Sequence, residues 1–557
     1  MLYTIYYMIT IPNFSGGLLE DDVSRNTYSR DASIFQITPS AIAVPSSNLD
    51  IKGLVDYVRA ERALGNNTVS LTARSAGTCM SGGPLTDSIV VSFTEHLNKI
   101  HEVGTDYVSV QPGAYYRDVE MATLAKGLIF PSYPASKALC AMGGILNNNS
   151  GGEKTLRYGK TLDYVREVDM VCGDGNMYTF KEIWGDELIN TINNDMSFYG
   201  EVHRKINQLV HDNWDEVHAA KPTVSKNSAG YYLWDIYNKE KGSINLAKLI
   251  CGAQGTLGLT TRMTLGLVPV LPFIHTIVVF VNRVADIPDV VHKVMPHSPE
   301  SFELYDDHTF KIAMRFLPDI AKRMGGNMIT LGLQFIPEMW MALTGGVPKV
   351  VLIAEFTADT QAEVDAQAKA AYADLSELIK THKGIHIRNI KTPKEAKKYW
   401  TFRRESFNLL RSKLKGLRTA PFIEDVVIKP EHFPEFLPRF EKLLDSYNLV
   451  YTIAGHVGDG NLHVIPLMKL SEEHNIDVIK KLSEEVYALT GEYHGSITGE
   501  HNDGLVRTPF LHYMFSNRML ELFQEVKNIL DPQNIFNPGK KVGTTWEEAT
   551  RHIDRSV

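Results

Sequence analysis

The sequence predicts an α+β protein whose architecture changes near residue 272. Three observations carry this expectation. Up to about residue 270, short apolar strands alternate with Gly-rich turns and helical stretches. Beyond it, long strands such as 274–281 and 350–356 alternate with amphipathic helices such as 360–382. That second pattern is an antiparallel sheet with helices on one face. No repeat or low-complexity tract interrupts either part.

Taken in order, residues 1–11 are apolar and include Tyr3, Tyr6 and Tyr7. They lack a basic leader and are too short to span a bilayer, so they read as a strand-like arm. Residues 41–44 and 88–93 read as strands and 54–64 as a helix. Residues 165–173 and 176–180 form a hairpin across Asp174-Gly175, because Asp-Gly readily takes the positive φ of a tight turn. Residues 182–250 look largely helical. Residues 399–405 read as a charged helix start, 517–530 as a strong helix, and 531–540 as a run of turns. The expected division is 1–271, 272–500, and a C-terminal segment 501–557 that returns to the first unit.

With 557 residues, the chain can bury a large core without disulfides. A net charge of -8 argues against nucleic-acid binding, which usually needs a basic face. The four cysteines, Cys79, Cys140, Cys172 and Cys251, are far apart. That spacing excludes a four-cysteine zinc site or an iron–sulfur cluster and suits a reducing, cytoplasmic setting. No segment runs apolar for membrane-spanning length, and a peripheral contact at the inner face of a membrane stays open.

Three Gly-rich loops lie in the first part. One is Arg74-Ser75-Ala76-Gly77-Thr78-Cys79-Met80-Ser81-Gly82-Gly83, after the strand-like 68–73. The second runs from Gly143-Gly144 through Asn148 to Ser150-Gly151-Gly152, preceded by Pro131 to Ser136. The third is Gly252-Ala253-Gln254-Gly255-Thr256-Leu257-Gly258. Each alone reads as a tight turn, but small residues also let successive N–H groups cradle a phosphate. The three together point to a nucleotide cofactor. Two nucleotide motifs fail: Gly159-Lys160-Thr161 has Lys154 where a P-loop needs its first glycine, and no GxGxxG follows a strand.

These loops, with Arg157-Tyr158-Gly159, Asp163-Tyr164-Val165 and Asn537-Pro538-Gly539-Lys540, resemble the vanillyl-alcohol-oxidase/PCMH-type FAD flavoprotein family. Within it the chain is similar to the D-lactate, glycolate and D-2-hydroxyglutarate dehydrogenase branch. The resemblance implies a two-subdomain PCMH-type FAD-binding domain plus an α+β cap domain with an antiparallel sheet. It implies that Arg74, Ser75, Ala76, Gly77, Thr78, Gly82 and Gly83 hold the FAD pyrophosphate. Pro131, Gly143, Gly144, Asn148, Ser150, Gly151, Tyr158, Gly255 and Asn537 would line the rest. Thr78 stands where covalent-flavin members carry His, so non-covalent FAD is expected.

The sharpest chemical signal is His456-Val457-Gly458-Asp459-Gly460-Asn461-Leu462-His463, followed later by Gly499-Glu500-His501-Asn502-Asp503-Gly504. Glycines between the histidines let both imidazoles aim at one point. Two histidines and a carboxylate make a three-ligand set for Zn²⁺, Mn²⁺ or Fe²⁺, with positions left for substrate. Structural histidines in a polar turn are the bland alternative. The resemblance assigns His456, His463 and Glu500 as metal ligands and His501 as catalytic base. It departs at Asn502, where the family has Gly; Asn tolerates positive φ.

By the same resemblance Trp400-Thr401-Phe402-Arg403 directs Arg403 to the substrate carboxylate, with Arg404 as the alternative. Arg507 is a further anion ligand or a core salt bridge. Ile423 stands where the hydroxyglutarate enzymes carry a Lys, which favours lactate or another small D-2-hydroxy acid. Electrons would leave to a quinone, a cytochrome, another flavoprotein or a partner subunit. The competing expectations are an alditol or aldonolactone oxidase, a non-catalytic FAD-binding subunit, and a flavin-free metal oxygenase.

Overall fold

The computed structural model describes residues 11–12, 14–307, 309, 347–390, 392, 395–403 and 416–556. Three main sheets organise it. The first contains β1 (Gly17–Leu19), β2 (Ala41–Val44), β3 (Leu71–Arg74) and β4 (Ile89–Ser92), in the order β1-β2-β4-β3. β2 and β3 run parallel to β4, so β2 and β3 need a crossover, supplied by the helix Asn48–Ala63. A reciprocal capping box between Ser47 and Asp50 starts that helix. It therefore begins earlier than the apolar periodicity at 54–64 indicates. Its Ile51, Leu54, Val55 and Val58 share one core cluster with Leu71, Ile89 and Val91, and with Ile535 and Phe536 from the far end of the chain.

The second sheet contains β5 (Ile100–Val103), β6 (Tyr107–Val110), β8 (Val165–Val171), β9 (Met177–Trp184), β10 (Tyr237–Asn238), β11 (Ser243–Asn245) and β12 (Leu259–Gly266). Its order is β10-β11-β9-β8-β12-β6-β5 and its pairs are antiparallel. The short strands β7 (Leu128–Ile129) and β13 (Val268–Pro269) pair separately. The expected hairpin is the β8–β9 turn, with Gly175 at φ +81°. Within the expected helical stretch 182–250, helices Gly185–Asn193, Phe198–Asp212 and Trp214–Ala219 give way to β10 and β11.

The third sheet contains β14 (Phe273–Val281), β15 (Ser301–Asp306), β16 (Val350–Ala358), β17 (Ile385–Ile390), β18 (Arg418–Thr419), β19 (Val426–Val427), β20 (Val450–His456) and β21 (Asn461–Met468). It is antiparallel in the order β17-β14-β16-β15-β20-β21-β18, with β19 paired to β21. The helix Gln361–Thr381 packs on it through Val364, Ala368, Ala371, Leu375 and Leu378, one stripe at helical spacing. Strand residues alternate faces. Leu304, Ile453 and Leu462 line a cavity with Phe433, Leu437 and Phe440, which Asp306, Lys349 and Glu441 also border. Their neighbours Glu303, His456 and His463 face the other way.

One expectation needs correction. Residues 395–403 are helical, so Tyr399 lies inside the helix and does not start it. Tyr399 and Trp400 are buried, and Tyr399 packs edge-on against Phe280; the aromatic pair anchors the middle of the helix. Arg404, Glu405 and most of the N-terminal arm lie outside the described residues. Among the described residues, no helix is long and apolar enough to cross a membrane.

Candidate active site

β3 delivers Arg74 to the start of the first glycine loop. Its guanidinium donates to the Tyr28 and Arg30 carbonyls at 3.1 and 2.7 Å. A Cβ on Gly77, at φ +68°, would lie 2.4 Å from it. Arg74 therefore shapes the loop by its own hydrogen bonds. Ser75 Oγ donates to the Pro112 carbonyl and leaves no room for a side chain at Gly143. The three loops meet. Gln254 N–H donates to the Asn147 carbonyl at 2.9 Å and Gly255 N–H to Asn147 Oδ1 at 3.0 Å. Gln254 Nε2 reaches Ser81 Oγ and Asn148 Oδ1. Asn537 Nδ2 donates to the Gly83 and Gln254 carbonyls at 2.9 and 2.7 Å, and its Oδ1 accepts from Thr72 at 3.2 Å. Asn537 is thus a knot between loops.

Beside this knot there is room for a ligand. A Cβ placed on Gly144 would meet nothing within 4 Å, whereas one on Gly143 or Gly152 would strike protein atoms. A side chain at Gly144 would thus point into open space beside the tightly packed Gly143 and Gly152. Tyr158 sits apart: its hydroxyl donates to Glu300 Oε1 at 3.2 Å, at the junction with the third sheet.

The histidine motif is the turn between β20 and β21. Gly460, at φ +71°, passes so close to the Ile428 carbonyl that a Cβ would lie 1.7 Å from it. Ala454 pairs with His463 and His456 with Asn461, so both imidazoles arrive on adjacent strands. The rings lie 5.2 Å apart, and the His463 and His501 rings 5.1 Å apart. All three ring Nε2 atoms surround one oxygen, Glu500 Oε1: His463 at 3.2 Å, His456 at 3.3 Å and His501 at 3.8 Å.

The outer nitrogens are committed. His463 Nδ1 lies 2.8 Å from the Glu424 carbonyl, His456 Nδ1 2.6 Å from Glu303 Oε1, and His501 Nδ1 3.2 Å from Glu424 Oε1. A carbonyl or carboxylate only accepts, so each Nδ1 carries the proton. The Nε2 atoms then converge on one carboxylate oxygen, an arrangement satisfied either by protons on the rings or by a cation between them. Second-shell acceptors that fix the imidazole tautomer are the usual support of a metal site. The donor set therefore fits a divalent cation.

Without a cation between them, the electrostatics favour charge on two of the three rings. Burial pushes the His463 imidazole down despite Glu500. Burial also disfavours charge on His456, but Glu303 beside it wins and raises it. Burial would raise Glu500, yet Lys226 and the imidazoles hold its carboxyl well below the usual range. Lys226 is fully buried, with its Nζ 3.2 Å from Glu500 Oε2 and 3.5 Å from Asp459 Oδ2. His501 is pushed up to about 9: burial opposes the charge, but Asp425, Glu424 and Glu500 outweigh it.

A different grouping, Asp425, His463, Glu500 and His501, also brings its ligand atoms within 4.8 Å of one another. Asp425 is already occupied, however. Its Oδ2 accepts from Thr498 Oγ1 and from the Glu500 and His501 N–H groups at 2.8, 2.9 and 2.7 Å, and its Oδ1 from Asn461 at 3.1 Å. It organises the loop.

The glycine loops and the histidine cluster are adjacent. A Cβ on Gly151 would lie 3.2 Å from Glu500 Oε2. Asn502, at φ +67°, donates to the Asn148 and Gly252 carbonyls at 3.2 and 2.9 Å. Asn at this position therefore takes the backbone conformation of Gly and adds two hydrogen bonds.

Arg403 is 8% exposed and paired with Glu303. Among the described residues its Nε is a buried donor without a partner. Arg507 is fully buried, pairs with Glu424 and donates from Nη1 to the Asn502 carbonyl at 2.8 Å. Ile423 is fully buried. Sequence reasoning missed Glu303, Lys226, Glu424, Asp425 and Lys160. Lys160 Nζ donates to the Gly499 carbonyl and holds the Glu500 loop. Lys160 stood in the Gly159-Lys160-Thr161 segment and Glu424-Asp425 directly after Ile423, but none of the three was read as part of the site.

Comparison with known proteins gives a consistent picture. Residues 39–181 match the FAD binding domain and residues 272–541 the C-terminal domain of FAD linked oxidases. A D-2-hydroxyglutarate dehydrogenase from Pseudomonas putida is 28% identical over 529 residues, covering 95% of this chain and 50% of that protein. The chain thus spans about half the length of that curated relative. A D-lactate dehydrogenase from Anaerostipes hadrus is 23% identical over 531 residues, covering 94% of each chain. The structure of p-cresol methylhydroxylase superposes with a TM-score of 0.65 at 14% identity, over 94% of this chain and 93% of that one; this likeness concerns the fold.

Proposed function

The chain belongs to the PCMH-type FAD flavoprotein family, and from that premise we propose that it is a dehydrogenase oxidising a small D-2-hydroxy acid to the 2-keto acid. One observation carries the reading. Three imidazoles with fixed tautomers converge on Glu500, which borders the flavin loops. Both compared relatives bear names of 2-hydroxy-acid dehydrogenases. In this reading residues 1–271 bind FAD non-covalently, 272–500 form the cap, and 501–557 return to the flavin unit.

His456, His463 and Glu500 would hold a divalent cation, zinc or manganese, with iron as a third option. When bound, FAD supplies the hydride acceptor, and the cation lowers the pKa of the substrate's α-hydroxyl. His501 Nε2 takes the hydroxyl proton, with the ring held by Glu424 through Nδ1. A base must be neutral, and positive charge at Glu500 opposes the rise that Asp425 and Glu424 impose on His501. Arg403 offers its unpartnered Nε to the substrate carboxylate. Lys226 keeps Glu500 ionised and occupies its second oxygen. Ile423 gives a distal carboxylate no charge to meet, which favours a D-lactate-like substrate. The electron acceptor is a quinone, a cytochrome, another flavoprotein or a partner subunit, in a cytoplasmic setting consistent with four unpaired cysteines.

Anaerobic addition of D-lactate, glycolate and D-2-hydroxyglutarate to the purified protein, with and without chelator, tests the reading. Bleaching of the flavin band by D-lactate, abolished by chelator, is expected. A flavin spectrum that none of the three bleaches would move the chain to an accessory flavin-binding role.

A further inference from the structure

We infer that Glu303 is a positioning residue that couples the substrate-carboxylate clamp to the cation site, through a buried relay Arg403–Glu303–His456. The inference rests on the reading of His456 as a cation ligand and Arg403 as the clamp.

The relay begins with strand register. β15 pairs with β20 so that Leu304 faces Gly455 and Tyr305 faces Ala454. One further step along the same ladder sets Glu303 across from His456. Because side chains alternate along a strand, Glu303 leaves the apolar side occupied by Leu304 and joins the polar side. Its side chain is 1% exposed, so water cannot stand in for its partners. One oxygen, Oε1, accepts from His456 Nδ1 at 2.6 Å. The other, Oε2, pairs with Arg403 Nη2.

Two consequences follow. The His456 proton is held on Nδ1, so the Nε2 lone pair is the one presented toward Glu500 Oε1. Meanwhile Arg403 has one nitrogen anchored, and among the described residues its Nε is a buried donor without a partner. A single carboxylate therefore orders both the imidazole and the guanidinium. A Gln amide cannot do the same: its oxygen accepts from one partner while its NH₂ group confronts the other. Loss of such an outer partner typically weakens metal binding by roughly 10–100-fold.

The test is Mn²⁺ binding to the flavin-loaded protein after chelator treatment, with free Mn²⁺ followed by electron paramagnetic resonance. Melting temperature and flavin absorbance serve as checks on folding. Glu303→Gln should bind Mn²⁺ roughly 10–100-fold more weakly with flavin content unchanged. Glu303→Asp keeps the charge with a shorter reach and should fall between; it also serves if the Gln variant folds poorly. Arg403→Met should weaken Mn²⁺ binding in the native background and have little further effect on top of Glu303→Gln. Wild-type affinity in Glu303→Gln overturns the inference while leaving the proposed function standing. Fully additive losses overturn the coupling. Native protein that binds no Mn²⁺ overturns the inference together with the cation reading beneath it.

Discussion

At the scale of single residues, His501 shows how position decides chemistry. It shares its motif with Glu500, yet its Nε2 lies farther from Glu500 Oε1 than those of His456 and His463. Its Nδ1 is tied to Glu424, which Arg507 in turn neutralises. In the proposed mechanism that longer distance assigns Nε2 to the base and not to the ligands. Replacing His501 by Ala should slow substrate-dependent flavin reduction by roughly 10²–10⁴-fold, the usual worth of a positioned base. Flavin should stay bound, because no hydrogen bond of the His501 ring reaches the glycine loops. Anaerobic stopped-flow spectroscopy decides it; an unchanged reduction rate removes His501 from this role. The histidines were legible in the sequence because they stand in one hairpin with glycines at the turn. Glu303 was not, because strand pairing alone brings it to His456 across more than 150 residues. Lys226 was hidden likewise: a lone lysine in a polar stretch gives no sign that it will be fully buried against Glu500.

At the scale of elements, the legible features were those set by local periodicity or turn chemistry. The strand Ala41–Val44 and the helix Asn517–Leu530 sit where the apolar pattern places them. Boundaries set by capping or tertiary burial were less legible. The helix Asn48–Ala63 starts at its Ser47 box, and the helix around Tyr399 begins before its aromatics. The glycine loops were legible as loops, but what joins them was not. Asn537 arrives from the C-terminal segment and spends its whole amide on Thr72, Gly83 and Gln254. Its backbone also extends β3, with Asn537 N–H donating to the Leu71 carbonyl. Asn537→Ala should leave buried carbonyls unpaired, each worth about 1–3 kcal/mol, and let the loops separate. The expected result is a lower flavin-to-protein absorbance ratio after gel filtration, restored by added FAD. Full flavin retention would mean that backbone pairing alone holds the loops.

At the scale of the whole molecule, the chain's last turn ties its parts together. Asp554 accepts from Arg30 Nε at 2.7 Å and pairs with Arg418 on β18 of the third sheet. Its backbone N–H donates to the Ile34 carbonyl, and Ile553 bridges to Phe35. One carboxylate thus links the N-terminal segment, the cap sheet and the C-terminus. Burial would push its pKa up, but Arg30, Ser556 and Arg418 hold it well below the ordinary carboxylate range. A group depressed in the folded state binds its proton more tightly when unfolded. Its contribution is therefore present above the unfolded value of about 4 and is lost as pH falls below that. Asp554→Asn should melt a few degrees below the native protein at neutral pH, and the gap should begin to narrow near pH 4 and keep narrowing as the pH is lowered toward 2. Scanning calorimetry of both proteins across that range checks the sign. A gap that stays constant with pH would mean that shape, and not charge, makes this closure. A gap that narrows would identify Asp554 as an ion-paired clasp between the Arg30 segment and β18 of the third sheet.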